Sequence, residues 1–337
     1  MKVAQVMAGA AAGGAELFFE RLCVALHRAG EEVRPVIRRD AARAARLRSA
    51  GLAAAELGFG GPLDPFTRPR LGRVLRAFAP SVVVSWMSRA AFHTPKGEWV
   101  QVGRLGGYYR LEHFRGCDHL VGNTRFLVGW LRANGWSEAR THWLPNFVPD
   151  FAAAVPAADL PGRRPLLLAL GRLHQDKAFD VLIRTMPRLP GMTLLIAGEG
   201  PERAALQRLA RAECVADRVV FQPWRPDVGS LLKAADVFVC PSRLEPLGNV
   251  VLEAWSAGCP VVAAAADGPR ELISDGFDGV LVPPEDSGAL AAAIGRLVED
   301  KTRAAGLAAA GRRTFLADYS EAPVVARWRE FLATVGA

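Results

Sequence analysis

The sequence lacks the long apolar runs that would place it in a membrane. Its longest runs, such as residues 165–170, have the length of a strand, whereas a transmembrane helix needs about 20 apolar residues. Met1 leads directly into a strand-like segment, without the basic start and apolar stretch of a secretory signal. We therefore expect a cytoplasmic protein.

Cysteine is also sparse and shows no functional spacing. There is no CxxC pair and no His/Cys pattern typical of zinc. We expect buried, reduced thiols and no structural metal. The five cysteines are Cys23, Cys117, Cys214, Cys240 and Cys259.

The length and composition favour two globular domains with different charge. At 337 residues the chain exceeds what one hydrophobic core usually organises, so two domains of about 150 residues each are expected. Residues 1–160 contain 21 Lys and Arg against 13 Asp and Glu, and the remainder contains 21 against 21. The whole net charge of +8 therefore lies in the first half.

Two arginine-rich segments carry much of this basic excess. One explanation is a solvated arginine-rich surface; the functional alternatives are contact with an anionic membrane leaflet or with a phosphorylated acceptor. Nucleic acid is not expected as a partner, because no known binding module accompanies the charge. The arginines are Arg34, Arg38, Arg39, Arg43, Arg46 and Arg48, followed by Arg68, Arg70, Arg73 and Arg76.

Short apolar or β-branched runs alternate with segments of helical period, which is typical of parallel sheets built from βαβ units. Residues 147–164 follow neither period and indicate a linker. The sequence therefore predicts an α/β protein with two doubly wound units, and ligands at the carboxyl ends of strands. The predicted strands are 2–7, 32–37, 54–59, 81–86, 99–104, 119–123 and 142–144, then 165–170, 192–197, 219–222, 237–240, 260–264 and 280–282.

Three segments that follow predicted strands could bind a phosphorylated sugar donor. Gly13 and Gly14 precede a helix, where the backbone can approach a phosphate, although a tight turn explains two glycines equally well. Arg172 and Lys177 flank a strand-end loop, where two cations could hold a diphosphate or could be ordinary surface charges. Neither a dinucleotide GxGxxG nor a Walker loop is present.

The third segment, 241–260, is the most informative. A turn with Pro246 and Gly248 leads into a helix, with Glu245 in the turn and Glu253 on the helix. A carboxylate can accept hydrogen bonds from sugar hydroxyls, although a glutamate near a helix N-terminus often only compensates the dipole. Backbone N–H groups at the helix start suit a phosphate; they belong to Leu247, Gly248 and Asn249.

Five motifs in a fixed order make the chain resemble family 4 of the retaining GT-B glycosyltransferases. They are GRLHQDKAFDVLI, LLIAGEGPE, LLKAADVFVCPS, EPLGNVVLEAWSAGCPVV and GFDGVLVPPED, and GGAE near the N-terminus agrees. The resemblance implies two Rossmann-like domains that face each other across a cleft. Residues 1–155 would bind the acceptor, residues 156–320 would bind the nucleotide sugar, and 321–337 would form a helix that crosses back to the first domain.

The resemblance also implies roles for individual residues. Arg172 and Lys177 would bind the donor diphosphate and stabilise the leaving nucleotide, and Glu245 would contact the transferred sugar. Glu253 would bind ribose hydroxyls. The backbone of Leu247, Gly248 and Asn249 would bind sugar or phosphate, Gly14 would admit the phosphates from the opposite wall, and the base would lie near residues 222–224, including Gln222.

The implied reaction retains the anomeric configuration by front-face attack and needs neither a protein base nor a metal; no Asp-x-Asp motif is present. One position departs from the family. Many members carry a histidine after the fifth strand, where this chain has Arg104 or the turn at Gly106 and Gly107. We consider Arg104, His93 and His113 as catalytic candidates there. Tyr108, Tyr109 and Phe114 could form an aromatic wall for a sugar or simply pack in the core.

The predicted function is transfer of a sugar from a UDP- or GDP-sugar to a glycan or glycolipid acceptor in lipopolysaccharide core or other surface polysaccharide synthesis. The enzyme would be a hexosyl- or related transferase on the inner face of the cell membrane, without a cofactor. Two alternatives remain: a non-catalytic subunit that binds nucleotide sugar or glycan, and a sugar-nucleotide epimerase of the same fold. Phosphorylases of this architecture are longer than this chain.

Overall fold

A computed structural model describes residues 1–10, 13–61 and 64–337. The chain forms two compact units. The first contains residues 1–146 and 321–337, and the second contains residues 147–320. Among the described residues, no helix is both long enough and apolar enough to cross a membrane.

The first unit is built on a parallel sheet with helices packed on it. Over the described residues its strand order is β3-β2-β1-β4-β5-β6-β7. The strands are β1 (Lys2–Met7), β2 (Glu32–Arg38), β3 (Ala55–Leu57), β4 (Val82–Trp86), β5 (Val100–Leu105), β6 (His119–Gly122) and β7 (Thr141–Trp143). The helices between them are α1 (Gly14–Arg28), α2 (Ala41–Ser49), α3 (Thr67–Phe78), α4 (Met87–His93) and α5 (Arg125–Ala133).

The second unit repeats this design with the strand order β10-β9-β8-β11-β12-β13. The strands are β8 (Leu166–Leu170), β9 (Thr193–Ala197), β10 (Val219–Gln222), β11 (Val237–Cys240), β12 (Val261–Ala264) and β13 (Val280–Val282). The helices are α6 (Phe179–Thr185), α7 (Arg203–Ala212), α8 (Val228–Ala234), α9 (Asn249–Ala257), α10 (Asp267–Leu272), α11 (Ser287–Glu299) and α12 (Lys301–Thr314).

Continuous apolar runs explain why these strands are central. Every residue of β8, β9, β11 and β12 is buried, as expected for parallel strands that are covered by helices on both faces. All strand pairs within the described residues are parallel. The predicted fold, with two Rossmann-like doubly wound sheets, is confirmed.

The second unit begins at Phe147, before the boundary that the sequence suggests after residue 155. Local contacts explain this assignment. Asp150 forms an ion pair with Arg312 at 2.7 Å. Phe151 packs so closely on Gly229 that a Cβ added there would lie 2.6 Å from the ring.

The last helix, α13 (Glu321–Val335), belongs to the first unit. It contacts α1 and buries Trp328 and Leu332 completely. Arg329 on α13 also donates to Glu31 at 2.8 Å. This helix follows a π-helical turn at Phe315–Tyr319 that ends α12.

Strand order reverses once in each sheet, between β1 and β4 in the first unit and between β8 and β11 in the second. In open α/β sheets such reversal points leave a crevice at the carboxyl ends of the two strands. The loops after β8 and β11 carry Lys177 and Glu245, so the fold of the second unit brings these two predicted residues to one crevice.

Candidate functional site

Lys177 and Glu245 are in direct contact in the second unit. Lys177 ends a short 3-10 turn, Gln175–Lys177, after β8, and Glu245 lies in the loop between β11 and α9. The Lys177 Nζ donates to the Glu245 Oε2, and Ser242 Oγ donates to the same oxygen at 3.2 Å. Glu245 is only 8% exposed, so the carboxylate is held by two donors in a largely closed setting.

The protonation state of Lys177 depends on its contact with Glu245. Burial lowers the pKa of Lys177, but the negative charge and hydrogen bond of Glu245 outweigh burial, and the net pKa of Lys177 is raised. The neighbouring thiol of Cys240 has its pKa raised to about 11, first by burial and then by Glu245. At neutral pH the site therefore contains an ammonium and a neutral thiol.

Arg172 lies two residues after the end of β8 and is exposed. Its loop rests on the turn after β9. Leu173 N–H donates to Glu199 O at 2.8 Å, and a Cβ added to Gly198 would lie 1.9 Å from Gly171 O. A Cβ on Gly200 would lie 2.3 Å from Leu173 O. The glycines of the GEGP turn thus allow two loop backbones to touch, and this contact fixes the segment that carries Arg172.

The loop with Glu245 ends at the N-terminus of α9. Gly248 is the N-cap with φ of 91°, and no side chain within the described ranges caps the helix. A left-handed N-cap explains the glycine. Leu247 is buried and Asn249 is the first helical residue. This end of α9 offers the positive side of the helix dipole next to Glu245.

A glycine of α10 that the sequence pattern does not single out supports this loop. Gly268, in the first turn of α10, donates its N–H to Glu245 O at 2.8 Å. A Cβ on Gly268 would lie 2.3 Å from Leu247 O and 2.6 Å from Glu245 O. Gly268 thus supports the backbone of the loop from behind. The only trace in the sequence is the glycine-proline pair after β12, which is an ordinary turn signal.

Glu253 and Gln222 lie on other elements of the second unit. Glu253 is half-buried on α9, one helical turn after Asn249. Gln222 ends β10, its carbonyl accepts from Gly198 N–H at 3.1 Å, and its side-chain Oε1 accepts from Arg225 at 3.3 Å. All of the predicted residues of the second unit therefore lie at the carboxyl ends of its strands or on α9.

In the first unit, the carboxylate of Glu16 lies against the loop that contains Gly13. Glu16 Oε1 accepts from Ala10 N–H at 2.8 Å, and a Cβ on Gly13 would lie 2.3 Å from Glu16 Oε2. Gly14 begins α1. Residues 11 and 12 of the predicted loop lie outside the described residues.

Arg104 lies in the core of the first unit, with 1% of its surface exposed. Its guanidinium lies over the rings of Phe18, at 5.3 Å, and Trp86, at 4.7 Å, and donates to Asn146 Oδ1. Burial lowers the pKa of Arg104 to about 10. Arg104 therefore packs at the end of β5 and has no surface open to a substrate.

The other candidates near Arg104 differ in exposure. His93 is buried and packs edge-on against Phe59, while His113 is half-buried and packs against Phe92. Phe114 is fully buried, so core packing accounts for it. Tyr108, Tyr109 and Phe114 do not form one wall, because Tyr108 is exposed and packs on Trp130 whereas Tyr109 stacks on Phe114.

The two arginine-rich segments are also unlike each other. Arg43 was expected on the basic surface but is buried: its Nε donates to Glu20 at 2.9 Å and it pairs with Asp40 at 3.3 Å. Arg46 also pairs with Glu20. The other exposed arginines of this first segment are Arg38, Arg39 and Arg48. On α3 every arginine is exposed, and these residues are Arg68, Arg70, Arg73 and Arg76.

Comparisons with known proteins give the family of the chain. The family model for glycosyl transferases group 1 matches residues 164–300. The chain is 35% identical to the lipopolysaccharide core biosynthesis glycosyltransferase LpsE of Rhizobium meliloti, over 96% of each chain, and 34% identical to LpsD of the same organism, over 95% of each. The structure of Anabaena HepE in complex with UDP and glucose superposes with a TM-score of 0.83 at 20% identity, covering 98% of this chain and 99% of HepE.

The two parallel sheets, together with this structural likeness, define the GT-B fold. The sequence relatives then give the family: the chain belongs to the group 1 glycosyl transferases. The predicted family is confirmed, and the chain is a transferase enzyme of that family.

Proposed function

We propose that this chain is a retaining glycosyltransferase that moves a sugar from a nucleotide diphosphate sugar to an acceptor in lipopolysaccharide core or related surface glycan synthesis. The contact between Lys177 and Glu245 carries the proposal, because it joins a cation and a carboxylate at the crevice where the strand order reverses. The relatives LpsE and LpsD, which act in lipopolysaccharide core biosynthesis, support the acceptor class.

Two cations bind the donor diphosphate in this proposal. Arg172 is exposed on the loop after β8 and offers a fork of donors, and Lys177 offers a point charge that Glu245 holds in place. Both stabilise negative charge on the departing nucleotide. The backbone at the start of α9, at Leu247, Gly248 and Asn249, adds main-chain donors and the helix dipole.

The remaining groups recognise sugar, ribose and base. Glu245 accepts from hydroxyls of the transferred sugar, and Glu253 accepts from ribose hydroxyls. The base lies near Gln222 at the end of β10, and UDP or GDP is the carrier. A phosphate at Gly13 and Gly14 requires the Glu16 carboxylate to move away, since it lies against Gly13 in this structure.

Retention follows from front-face attack. The bond between the anomeric carbon and the phosphate oxygen breaks with its electron pair on the nucleotide. The acceptor oxygen bonds to the same face of that carbon, and its proton passes to the leaving phosphate. In this proposal the leaving phosphate takes the proton of the acceptor, so Glu245 is not required as the nucleophile of a double displacement.

The transfer assay tests this proposal. Purified protein is incubated with UDP- and GDP-sugars and a truncated lipopolysaccharide core, and proton NMR follows the anomeric configuration of the product. We expect transfer with retention and unchanged rates in the presence of EDTA, because two side-chain cations neutralise the diphosphate. Nucleotide binding without transfer or donor hydrolysis would instead favour a binding subunit, and conversion of the donor sugar alone would favour an epimerase.

We further propose that α3 binds the inner face of the cell membrane. Four arginines on this helix are exposed, and Phe66, immediately before it, is 63% exposed. Cations near an anionic leaflet gain about 1 kcal/mol each, and an aromatic ring beside them suits the interface. The segment around α2 also exposes Arg38, Arg39 and Arg48, but Arg43 is buried and Arg46 is paired with Glu20.

A vesicle assay tests the membrane proposal. Replacing the four α3 arginines by Gln should weaken binding to vesicles of phosphatidylcholine and phosphatidylglycerol by at least about tenfold at low salt. The matched control loses the same charge from exposed arginines of the second unit: Arg188, Arg208, Arg211 and Arg303. Equal losses in both variants would show a net-charge effect and reject α3 as the binding face.

A further inference from the structure

Three strand-end loops of the second unit converge on Arg243. This residue lies in the loop after β11, two positions before Glu245. Its guanidinium donates to both carboxylate oxygens of Asp180, at 2.8 and 2.7 Å, at the start of α6. It also donates to Glu285 Oε2 at 3.0 Å, in the loop after β13.

Arg243 also ties its own loop to the turn that carries Lys177. Its backbone N–H donates to Asp176 O at 2.8 Å, and its side chain donates to Gln175 O at 2.8 Å. Both acceptors belong to the Gln175–Lys177 turn. The two loops that meet at the Lys177–Glu245 contact are therefore joined a second time, by one arginine that contacts neither of those side chains.

Glu285 adds a second unusual feature. It has φ of 64°, which a side chain other than glycine rarely adopts. Such a conformation persists when surrounding contacts hold it, and Arg243 supplies two of them, through Nε to Glu285 Oε1 and through Nη2 to Glu285 Oε2. Glu285 belongs to the VPPED segment, and no residue of this segment has a role in the proposed donor site.

Only arginine suits this position. One planar fork meets Asp180 with two parallel bonds while its remaining donors reach Glu285 and Gln175, and a lysine ammonium cannot do this. Burial raises the pKa of Asp180, but the hydrogen bonds and charge of Arg243 outweigh it and the net pKa is lowered. The pair is thus ionised at neutral pH.

We propose that Arg243 is a positioning residue that sets the geometry of the diphosphate-binding cation Lys177 against Glu245, with Asp180 and Glu285 as its anchors. The inference rests on the proposed function, because it assumes that Lys177 binds a phosphate of the donor. Its consequence is specific: loss of Arg243 should weaken recognition of the second phosphate more than recognition of the rest of the nucleotide.

Calorimetry with UDP and UMP, or with GDP and GMP if those bind, measures this consequence as a ratio of two dissociation constants. For the wild type we expect the diphosphate to bind at least tenfold more tightly, and for Lys177→Ala we expect this ratio to collapse. Arg243→Gln should reduce the ratio by about five- to tenfold, Arg243→Lys should be intermediate, and Glu285→Gln should have a smaller effect. Arg184→Gln is the matched control, because Arg184 also pairs with Asp180 at 2.9 Å but lies on the outer side of α6 and is exposed.

The possible results separate the two proposals. If Arg243 had only a structural role, Arg243→Gln would weaken the binding of both nucleotides equally and leave the ratio of dissociation constants unchanged. That result would reject the inference without contradicting the proposed donor site. A wild type that binds neither diphosphate would overturn both. If Arg243→Gln does not fold, Arg243→Lys and Glu285→Gln give the same ratio test, and a ratio within twofold of wild type in both rejects the inference.

Discussion

Removal of a single side chain from the Lys177–Glu245 pair should affect both activity and stability. We expect Lys177→Ala to lower kcat by about 100-fold or more, because a donor to the developing charge is lost. It should also lower the free energy of unfolding by about 1–3 kcal/mol, because the largely buried Glu245 loses its charged partner. Steady-state kinetics and urea denaturation measure the two effects.

Arg172→Ala provides the comparison for Lys177→Ala. Arg172 is exposed, so its loss should lower kcat while leaving the unfolding free energy within about 0.5 kcal/mol of wild type. In the double variant of Lys177 and Glu245, the stability losses should not add, because each single change leaves the other group unpaired. Additive losses, or near-normal turnover in Lys177→Ala, would remove the pair from the proposed mechanism.

The side chains show what residue patterns can and cannot predict. Lys177 and Glu245 were placed at strand ends by periodicity, and parallel strands bring such ends together. Arg43 was placed on the surface by its charge, yet it is buried because Glu20 and Asp40 lie beside it. Which arginine is paired depends on neighbours from other elements, and the composition of one segment does not contain that information.

At the scale of elements, Gly268→Ala should disturb the loop that carries Glu245. The new Cβ would meet backbone oxygens of Leu247 and Glu245, which cannot rotate away as a flexible side chain can. We expect a loss of about 1–3 kcal/mol in unfolding free energy, together with a lower kcat. Thermal and urea denaturation, with the transfer assay, measure both.

Gly295→Ala is the control for Gly268→Ala, and we expect it to raise the free energy of unfolding instead of lowering it. Gly295 lies within α11, and a Cβ there would meet nothing within 4 Å. Alanine at such a helical position should raise stability by about 0.4–1 kcal/mol. If both substitutions stabilise the protein, the backbone contact between α10 and the Glu245 loop is not the constraint inferred from the structure.

The positions of the strands could be predicted from the sequence, but the long-range contacts that hold the loops between them could not. Alternating periods gave every strand of both sheets within about two residues at each end, because buried parallel strands need continuous apolar runs. Gly268 supports Glu245 across more than 20 positions of sequence. Contacts of that kind arise only when the chain has folded, so a local pattern cannot show them.

At the scale of the whole molecule, the positive charge predicted for the first half of the chain lies mainly on helices that the fold leaves exposed. The net charge follows from counting, but its position does not. Arg104 is buried between two rings and Arg43 is buried between carboxylates, whereas the four arginines of α3 are exposed. Folding thus removes part of the positive charge of the first half from the surface, which the net charge alone does not show.

Two histidines under the C-terminal helix should make stability depend on pH. His119 Nδ1 and His142 Nε2 are 3.0 Å apart, and Phe331 of α13 packs against both rings. Burial, then His119 and Arg132, lower the pKa of His142 to about 4. Burial also lowers the pKa of His119, where Arg140 adds to the effect and Asp118 opposes it.

The direction in which stability changes with pH follows from proton uptake. In the unfolded chain both histidines titrate near pH 6.5, so between about pH 6.5 and 4 the unfolded state binds more protons than the folded state. The contribution of the neutral pair is present above pH 6.5 and is lost as the pH falls through this window. We expect the Tm to fall between pH 7 and pH 5, and the protection factors of amides in α13, corrected for the intrinsic exchange rate at each pH, to fall over the same range.

The double variant His119→Gln/His142→Gln isolates this effect, because glutamine does not titrate. Its Tm should change less between pH 7 and pH 5 than that of the wild type. The control is His27→Gln in α1, which should leave the dependence of Tm on pH as it is in the wild type. Carboxylates with lowered pKa values, such as Asp118 and Asp150, destabilise the fold only at lower pH. Equal slopes in the wild type and the double variant would therefore reject the histidine pair as the source of the pH dependence.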